Sequence, residues 1–279
     1  MIVSHKNKFI FFKPMKVAGS SIEHGLSKHC GEIDILTGDR EHADLQPRNN
    51  EDFHSHTIPE MFFEKYEKEN WSDYYKFTAV RNPWDTVVSY YWYATGKSQK
   101  TDIDISNFDE VKKDFSEWLN RKNMFNWPQW TEDPMSGKEL LDLLVEVARR
   151  DTGYSRIETL RLLRENRMKV FARYGTVVNC YGSSLDKFWN KSPLEYIARI
   201  NEYFYDDDAI HHTIRYENLE EDYKKACDQL FLPYEKLVKF KSGYRKLSVP
   251  YTEYYNDNTR KMVFREFEWT IERFKYKFG

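Results

Sequence analysis

The stretch that decides the fold is Lys8-Phe-Ile-Phe-Phe-Lys-Pro-Met-Lys-Val-Ala-Gly-Ser-Ser21. Its apolar run, Lys8 to Phe12, reads as a buried strand. Pro14 and Gly19 mark a turn, and Ser20 or Ser21 then caps a helix to about His29. The same grammar returns at Tyr75-Lys-Phe-Thr-Ala-Val80, a second strand that breaks at Arg81-Asn-Pro83. There Asn82 caps a helix over Trp84–Ala94, with Pro83 at its first position. A third strand is expected over Ala209–Tyr216, followed by a helix over Glu220–Leu230. Strands alternating with helices predict an α/β fold with a mostly parallel central sheet flanked by helices.

Between these units lie weaker signals. Residues 31–56 look irregular, and Ile58–Lys68 reads as a helix entered through Thr57 and Pro59. The middle, about 97–205, is expected to be mostly helical. Phe108–Asn120 and Lys138–Arg150 have helical spacing, as does Ser184–Tyr205 with an interruption near Pro193. Phe125-Asn-Trp-Pro-Gln-Trp130 is a rigid aromatic loop between them. A long terminal helix is expected over Asn258–Phe274. No linker splits the chain, so one domain over residues 1–279 is expected.

Composition narrows the classes. The chain has 279 residues, 43 Lys+Arg against 45 Asp+Glu, and a formal net charge of −2. That balance argues against coating nucleic acid by bulk charge, while leaving room for a local basic pocket. Aromatic residues reach 17%, too many for a disordered chain. No run approaches the roughly 18–20 apolar residues that span a membrane, and no signal-peptide pattern opens the chain. Cys30, Cys180 and Cys227 are widely spaced and odd in number, which reads as free thiols.

Chemistry concentrates in two loops. In the first, Lys13, Lys16, Gly19, Ser20 and Ser21 sit between a strand and a helix N-terminus. Backbone N–H groups there point at an anion, and the helix dipole favours negative charge. Gly19 lets the backbone approach closely. The pattern is not G-x-x-x-x-G-K-[ST], since the lysine precedes the glycine. An ordinary basic turn is the plain alternative. In the second loop Arg81 ends a strand, and Ser89 lies about two turns into the following helix. Arginine suits forked contact with phosphate. A surface salt bridge is the alternative there.

Together the loops resemble those of sulfotransferases that use 3′-phosphoadenosine 5′-phosphosulfate (PAPS). Phe11-Phe-Lys-Pro-Met-Lys-Val-Ala-Gly-Ser-Ser21 looks like their 5′-phosphosulfate loop. Phe77-Thr-Ala-Val-Arg-Asn-Pro-Trp-Asp-Thr-Val-Val-Ser-Tyr90 looks like their 3′-phosphate motif. Ile214-Arg-Tyr-Glu-Asn-Leu-Glu-Glu-Asp-Tyr223 and the end of the chain, Tyr254 through Phe278, resemble the carbohydrate, heparan 2-O-like branch. The resemblance is weak across about 97–205, where acceptor-binding segments vary.

The resemblance implies a P-loop-like fold and transfer of a sulfuryl group from PAPS to an acceptor hydroxyl or amine. Adenosine 3′,5′-bisphosphate is the product, and no metal is required. Lys16 matches the lysine that contacts the bridging oxygen, and Lys13 a basic residue of the 2-O branch. Gly19, Ser20 and Ser21, with Val17 and Ala18 beside them, match the cradle, and Arg81 and Ser89 the 3′-phosphate pair. Two departures stand out: Met15 intervenes between Pro14 and Lys16, and Thr86 replaces an arginine.

Phe53-His-Ser-His-Thr57 resembles the His-x-His segment of uronyl 2-O-sulfotransferases. That makes His56 the expected general base, assisted by His54. Glu60 or Asp52 would serve instead if the acceptor is an amine or the His pair is displaced. No third and fourth ligand have the spacing of a zinc site. His211 and His212 read as structural residues of a strand. Arg245, in the late loop 241–246, corresponds in position to a segment that closes over the nucleotide. Trp118, Trp127 and Trp130 read as core or lid packing first and as an acceptor wall second.

No transmembrane anchor precedes the domain, unlike the Golgi members, so a bacterial or viral cytoplasmic enzyme is expected, or else a trimmed form of an anchored one. The acceptor is a glycan or small molecule, and the charge balance leans to a small or modestly charged one. The oligomeric state stays open. A catalytically silent nucleotide- or glycan-binding module and a phosphoryl transferase are the competing readings.

Overall fold

Three short parallel strands carry the two loops that matter. In the computed structural model the strands are β1 (Ile2–Ser4), β2 (Phe9–Phe11), β3 (Ile35–Leu36), β4 (Tyr75–Val80) and β5 (His212–Arg215). Their spatial order is β3-β1-β2-β4-β5. The structure describes residues 1–38, 43–50, 53, 55–59, 62–63, 71–98, 103–120, 192–205, 210–240 and 243–279.

β2, β4 and β5 run parallel, with Phe11 opposite Phe77 and Val80 opposite Arg215. The expected parallel sheet needs correction beyond them. β1 pairs antiparallel with both β2 and β3, so the five-stranded sheet is mixed. Three residues are too few for a period to declare a strand. The β1–β2 hairpin is fixed instead by pairing, with Ile2 opposite Phe11 and Ser4 opposite Phe9.

Seven α-helices are described from end to end: α1 (Gly19–Ser27), α2 (Pro83–Ser98), α3 (Phe108–Leu119), α4 (Pro193–Glu202), α5 (Leu219–Gln229), α6 (Asp257–Glu266) and α7 (Glu268–Phe274); Pro59, Phe62 and Phe63 are helical as well. Their starts follow local rules. The Asn82 side chain accepts from the Trp84 N–H at 3.1 Å, and Pro83 stands first in α2. Ser192 and Glu195 form a capping box ahead of α4, and Pro193, which looked like an interruption, begins that helix. The single terminal helix divides at Phe267 (φ −109°, ψ 17°), which lets Phe267, Ile271 and Phe274 all enter the core. The segments at 125–130 and 138–150, and most of 58–68, lie outside the described residues.

Strand alternation sends apolar side chains to both faces. Phe9, Phe11, Phe77, Ala79 and Ile214 pack against Ile22 and Leu26 of α1 and Tyr223 and Ala226 of α5. Val3, Ile10, Phe12 and Val80 pack against residues of α2, α3, α4, α6 and α7. The result is an α/β protein with helices on both faces of the sheet.

One buried charge cluster joins β1 to α1. The Glu23 carboxylate is fully buried and accepts from Lys13 Nζ at 2.5 Å, the Met1 α-amine at 3.1 Å and the Gly38 N–H at 2.9 Å. Burial pushes this carboxyl up, but the Lys13 ammonium and the Met1 amine outweigh it, so its pKa falls below the ordinary 4.5. A depressed carboxyl contributes stability that is present above the unfolded pKa and lost as pH falls through the folded one. Glu23→Gln is therefore expected to cost about 3–5 kcal/mol at pH 7, because Lys13 is left buried without its counter-charge. Urea titrations across pH should also show a flatter acid limb below pH 4.5 in the variant. Adding Lys13→Met should recover most of the loss.

Candidate active site

All three parallel strands end in loops on the same edge of the sheet, the edge where open α/β sheets bind ligands. The loop after β2 has two non-glycine residues in the left-handed region, Lys16 (φ 65°) and Ala18 (φ 64°). Each costs on the order of 1–2 kcal/mol and persists only where surrounding structure holds it.

Three side chains from distant segments do the holding. His56 Nδ1 lies 2.7 Å from the Lys13 carbonyl oxygen. The Asn201 side chain, 2% exposed on α4, donates to the Met15 carbonyl at 3.0 Å and accepts from the Met15 N–H at 2.9 Å. Arg81 Nη1 donates to the Lys16 carbonyl at 3.1 Å. The carbonyls of residues 13, 15 and 16 are thus all occupied.

The N–H groups that follow are arranged oppositely. Those of Val17, Ala18, Gly19 and Ser20 donate to no acceptor among the described residues. The expected serine cap also needs correction. Ala18 is the N-cap of α1, with no side-chain cap and no acidic residue in the first turn. The Ser21 hydroxyl instead accepts from the Phe240 N–H at 3.1 Å. An uncapped helix start whose N–H groups have no acceptor among the described residues suits an anion.

Gly19 has a steric reason beyond close approach. A Cβ there would lie 2.5 Å from Lys13 Cγ, because the lysine stem crosses the glycine on its way to Glu23. Lys13 therefore points its ammonium at Glu23, behind the loop.

Arg81 joins the two loops. Its Nε and Nη2 donate to Asp85 Oδ2 at 2.9 and 2.6 Å, and its guanidinium stacks 3.9 Å above the Tyr216 ring. The other Asp85 oxygen, Oδ1, accepts from Arg245 Nη1 at 3.1 Å. Arg245 also donates to the Val249 carbonyl at 2.5 Å, and its buried Nε has no described partner. Two arginines thus converge on one carboxylate. Asp85, Ser89 and Tyr93 follow at four-residue intervals on one face of α2. Ser89, half-buried, lies between Asp85 and Tyr93 along that face. Lys16 Nζ sits 4.1 Å over the Tyr93 ring and 5.6 Å from that of Tyr244. The late loop therefore reaches the site twice, through Arg245 and through Tyr244.

His56 is half-buried beside the first loop. A carbonyl oxygen only accepts, so its 2.7 Å contact places a proton on Nδ1, and in the neutral ring the lone pair is then on Nε2. His54, Glu60 and Asp52 lie outside the described residues, as do Trp127 and Trp130. Trp118 is 5% exposed and packs on Tyr90 and Tyr91 in the core. His211 Nδ1 accepts from the Lys76 N–H at 3.1 Å, at the edge of β4. Cys30 and Cys227 are free thiols, and burial pushes Cys30 up to about 12, far from a reactive range.

Sequence reasoning missed Asp85, Tyr93, Asn201, Tyr216 and Tyr244 as parts of the site. Asp85 was within reach, four residues after Arg81 at the start of a helix. Nothing local marks Asn201, which is 186 residues from Met15.

No protein-family model matches the chain, and no curated protein or solved structure matches it either. Among the described residues no helix is long and apolar enough to cross a membrane, and no cluster of three or more His, Cys, Asp or Glu could hold a metal ion.

Gly19→Ala should displace the Lys13 stem and cost about 1–3 kcal/mol by overpacking. Gly31→Ala is the control: a Cβ there meets nothing closer than 3.5 Å, and a change within about 0.5 kcal/mol is expected. Chemical denaturation of the two variants checks both values.

Proposed function

We propose that the chain is a PAPS-dependent sulfotransferase on a P-loop-like fold, acting on an acceptor hydroxyl. One observation carries the reading. The two loops that resemble the 5′-phosphosulfate and 3′-phosphate motifs meet at one sheet edge, where Arg81 bonds the carbonyl of Lys16. The N–H groups of Val17, Ala18, Gly19 and Ser20, with the Ser20 and Ser21 side chains beside them, then suit the 5′-phosphate. Arg81, Ser89 and Arg245 suit the 3′-phosphate, and Lys13 supports the loop from below.

In this reading the acceptor oxygen forms a bond to sulfur as the bond from sulfur to the phosphate oxygen breaks. His56 Nε2 takes the acceptor proton, with His54 assisting, and the leaving electron pair goes to the phosphate oxygen, which Lys16 neutralises. No step calls for a metal. A cytoplasmic enzyme and a small or modestly charged acceptor belong to the same reading. The positive groups of the site are largely paired within the protein, which leaves little surplus charge for gripping a long polyanion.

Thermal shift separates this reading from its rivals. Adenosine 3′,5′-bisphosphate should stabilise the protein, and ATP with Mg²⁺ should not. Stabilisation by ATP–Mg²⁺ alone would point to phosphoryl transfer and end the proposal. Labelled PAPS screened against glycans, lipids and small alcohols should reveal the acceptor. A protein that binds the bisphosphate but transfers nothing would be a silent binding module. With an acceptor in hand, His56→Ala and Lys16→Ala should each lower turnover by about 10²–10⁴-fold. Arg81→Ala should mainly weaken donor binding. Full activity in His56→Ala would remove it as the base.

A further inference from the structure

Met15 is the residue by which the first loop departs from the pattern that it otherwise resembles. It stands between Pro14 and Lys16. Where the following side chain points depends on what fixes the backbone path at Met15. The structure contains such a fixture. Both backbone groups of Met15 are held by the single amide of Asn201, N–H to Oδ1 at 2.9 Å and carbonyl to Nδ2 at 3.0 Å. Only one orientation of the amide serves a donor and an acceptor on the same residue.

Asn201 is itself held. It is 2% exposed and lies in the last turn of α4, a helix whose Leu194, Ile197 and Ala198 are buried in the core with residues of α2 and α6. The next residue after Met15 is Lys16, left-handed, with its ammonium over Tyr93 of α2. One rigid helix thus sets the backbone from which the lysine departs, and a second receives its charge.

We propose that Asn201 is a positioning residue for Lys16: by clamping Met15 it holds the left-handed turn that delivers the Lys16 ammonium to the Tyr93–Tyr244 face. This rests on the sulfotransferase reading for its catalytic consequence, but its geometry is independent of it. Asn201 touches no reacting atom, and its effect passes through the loop.

Two variants and two readouts test it. Asn201→Asp keeps the shape and the acceptor for the Met15 N–H but loses the donor to the Met15 carbonyl. Asn201→Ala loses both. In protein carrying 13Cε-labelled lysine, the Lys16 signal, assigned through Lys16→Met, should be shifted by the Tyr93 and Tyr244 rings. In both variants it should move to the ordinary lysine position. Affinity for adenosine 3′,5′-bisphosphate should fall much less than kcat, which drops about a hundredfold, the scale of a 1 Å misplacement.

A Lys16 signal that stays in place, or a kcat that is unchanged, would overturn the proposal. Two variants that fail to fold would also overturn it, assigning Asn201 to stability alone. If the unmodified protein transfers no sulfuryl group, the functional reading fails, and the lysine signal still decides the positioning role.

Discussion

Everything at the candidate site depends on how the carbonyl groups of residues 13 to 16 are occupied. His56, Asn201 and Arg81 come from three separate parts of the chain and each bonds one of them. With those carbonyls engaged, the backbone passes through two left-handed residues, Lys16 and Ala18, without glycine at either. The strain is affordable only because the three bonds and the buried Lys13–Glu23 pair over-determine the path. The outcome is a run of N–H groups at the start of α1 with no acceptor among the described residues.

Charge follows the same logic of local balance. The chain is nearly neutral, and its site is built of ion pairs rather than a bare basic patch. Lys13 faces Glu23, while Arg81 and Arg245 share Asp85. Lys16 and Arg81 each rest on tyrosine rings. Such pairing orients guanidinium groups ahead of any ligand, which lowers the entropy that a ligand must overcome. The aromatic content also takes on a second role. Most of it fills the two cores, but Tyr93, Tyr216 and Tyr244 sit against the positive groups of the site.

Several features were legible in the chain because their signals are local. β4 runs over Tyr75–Val80 as its apolar run suggests, and Asn82-Pro83 starts α2 through a cap visible in the sequence. The strand–loop–helix grammar identified Lys16, Gly19, Arg81 and Ser89 as neighbours of a strand end. Other features were not legible. β1 and β3 are too short to have a period; β1 exists because β2 offers an edge to pair with, and β3 because β1 offers the next one. The cap of α1 shifted from serine to Ala18 because tertiary contacts force a left-handed residue there, overriding the local preference for a serine oxygen.

The amino-acid sequence by itself determined the alternation of strands and helices, the parallel core of β2, β4 and β5, and the residue types gathered at its edge. Periodicity, capping and turn chemistry act within a few residues, so they survive in a one-dimensional reading. Only the tertiary structure decided the mixed sheet, the direction of the Lys13 side chain, the His56 proton and the clamp of Asn201 on Met15. Each of these depends on a partner 5 to 186 residues away, and a hydrogen bond has no signature in sequence until folding brings its two ends within about 3 Å.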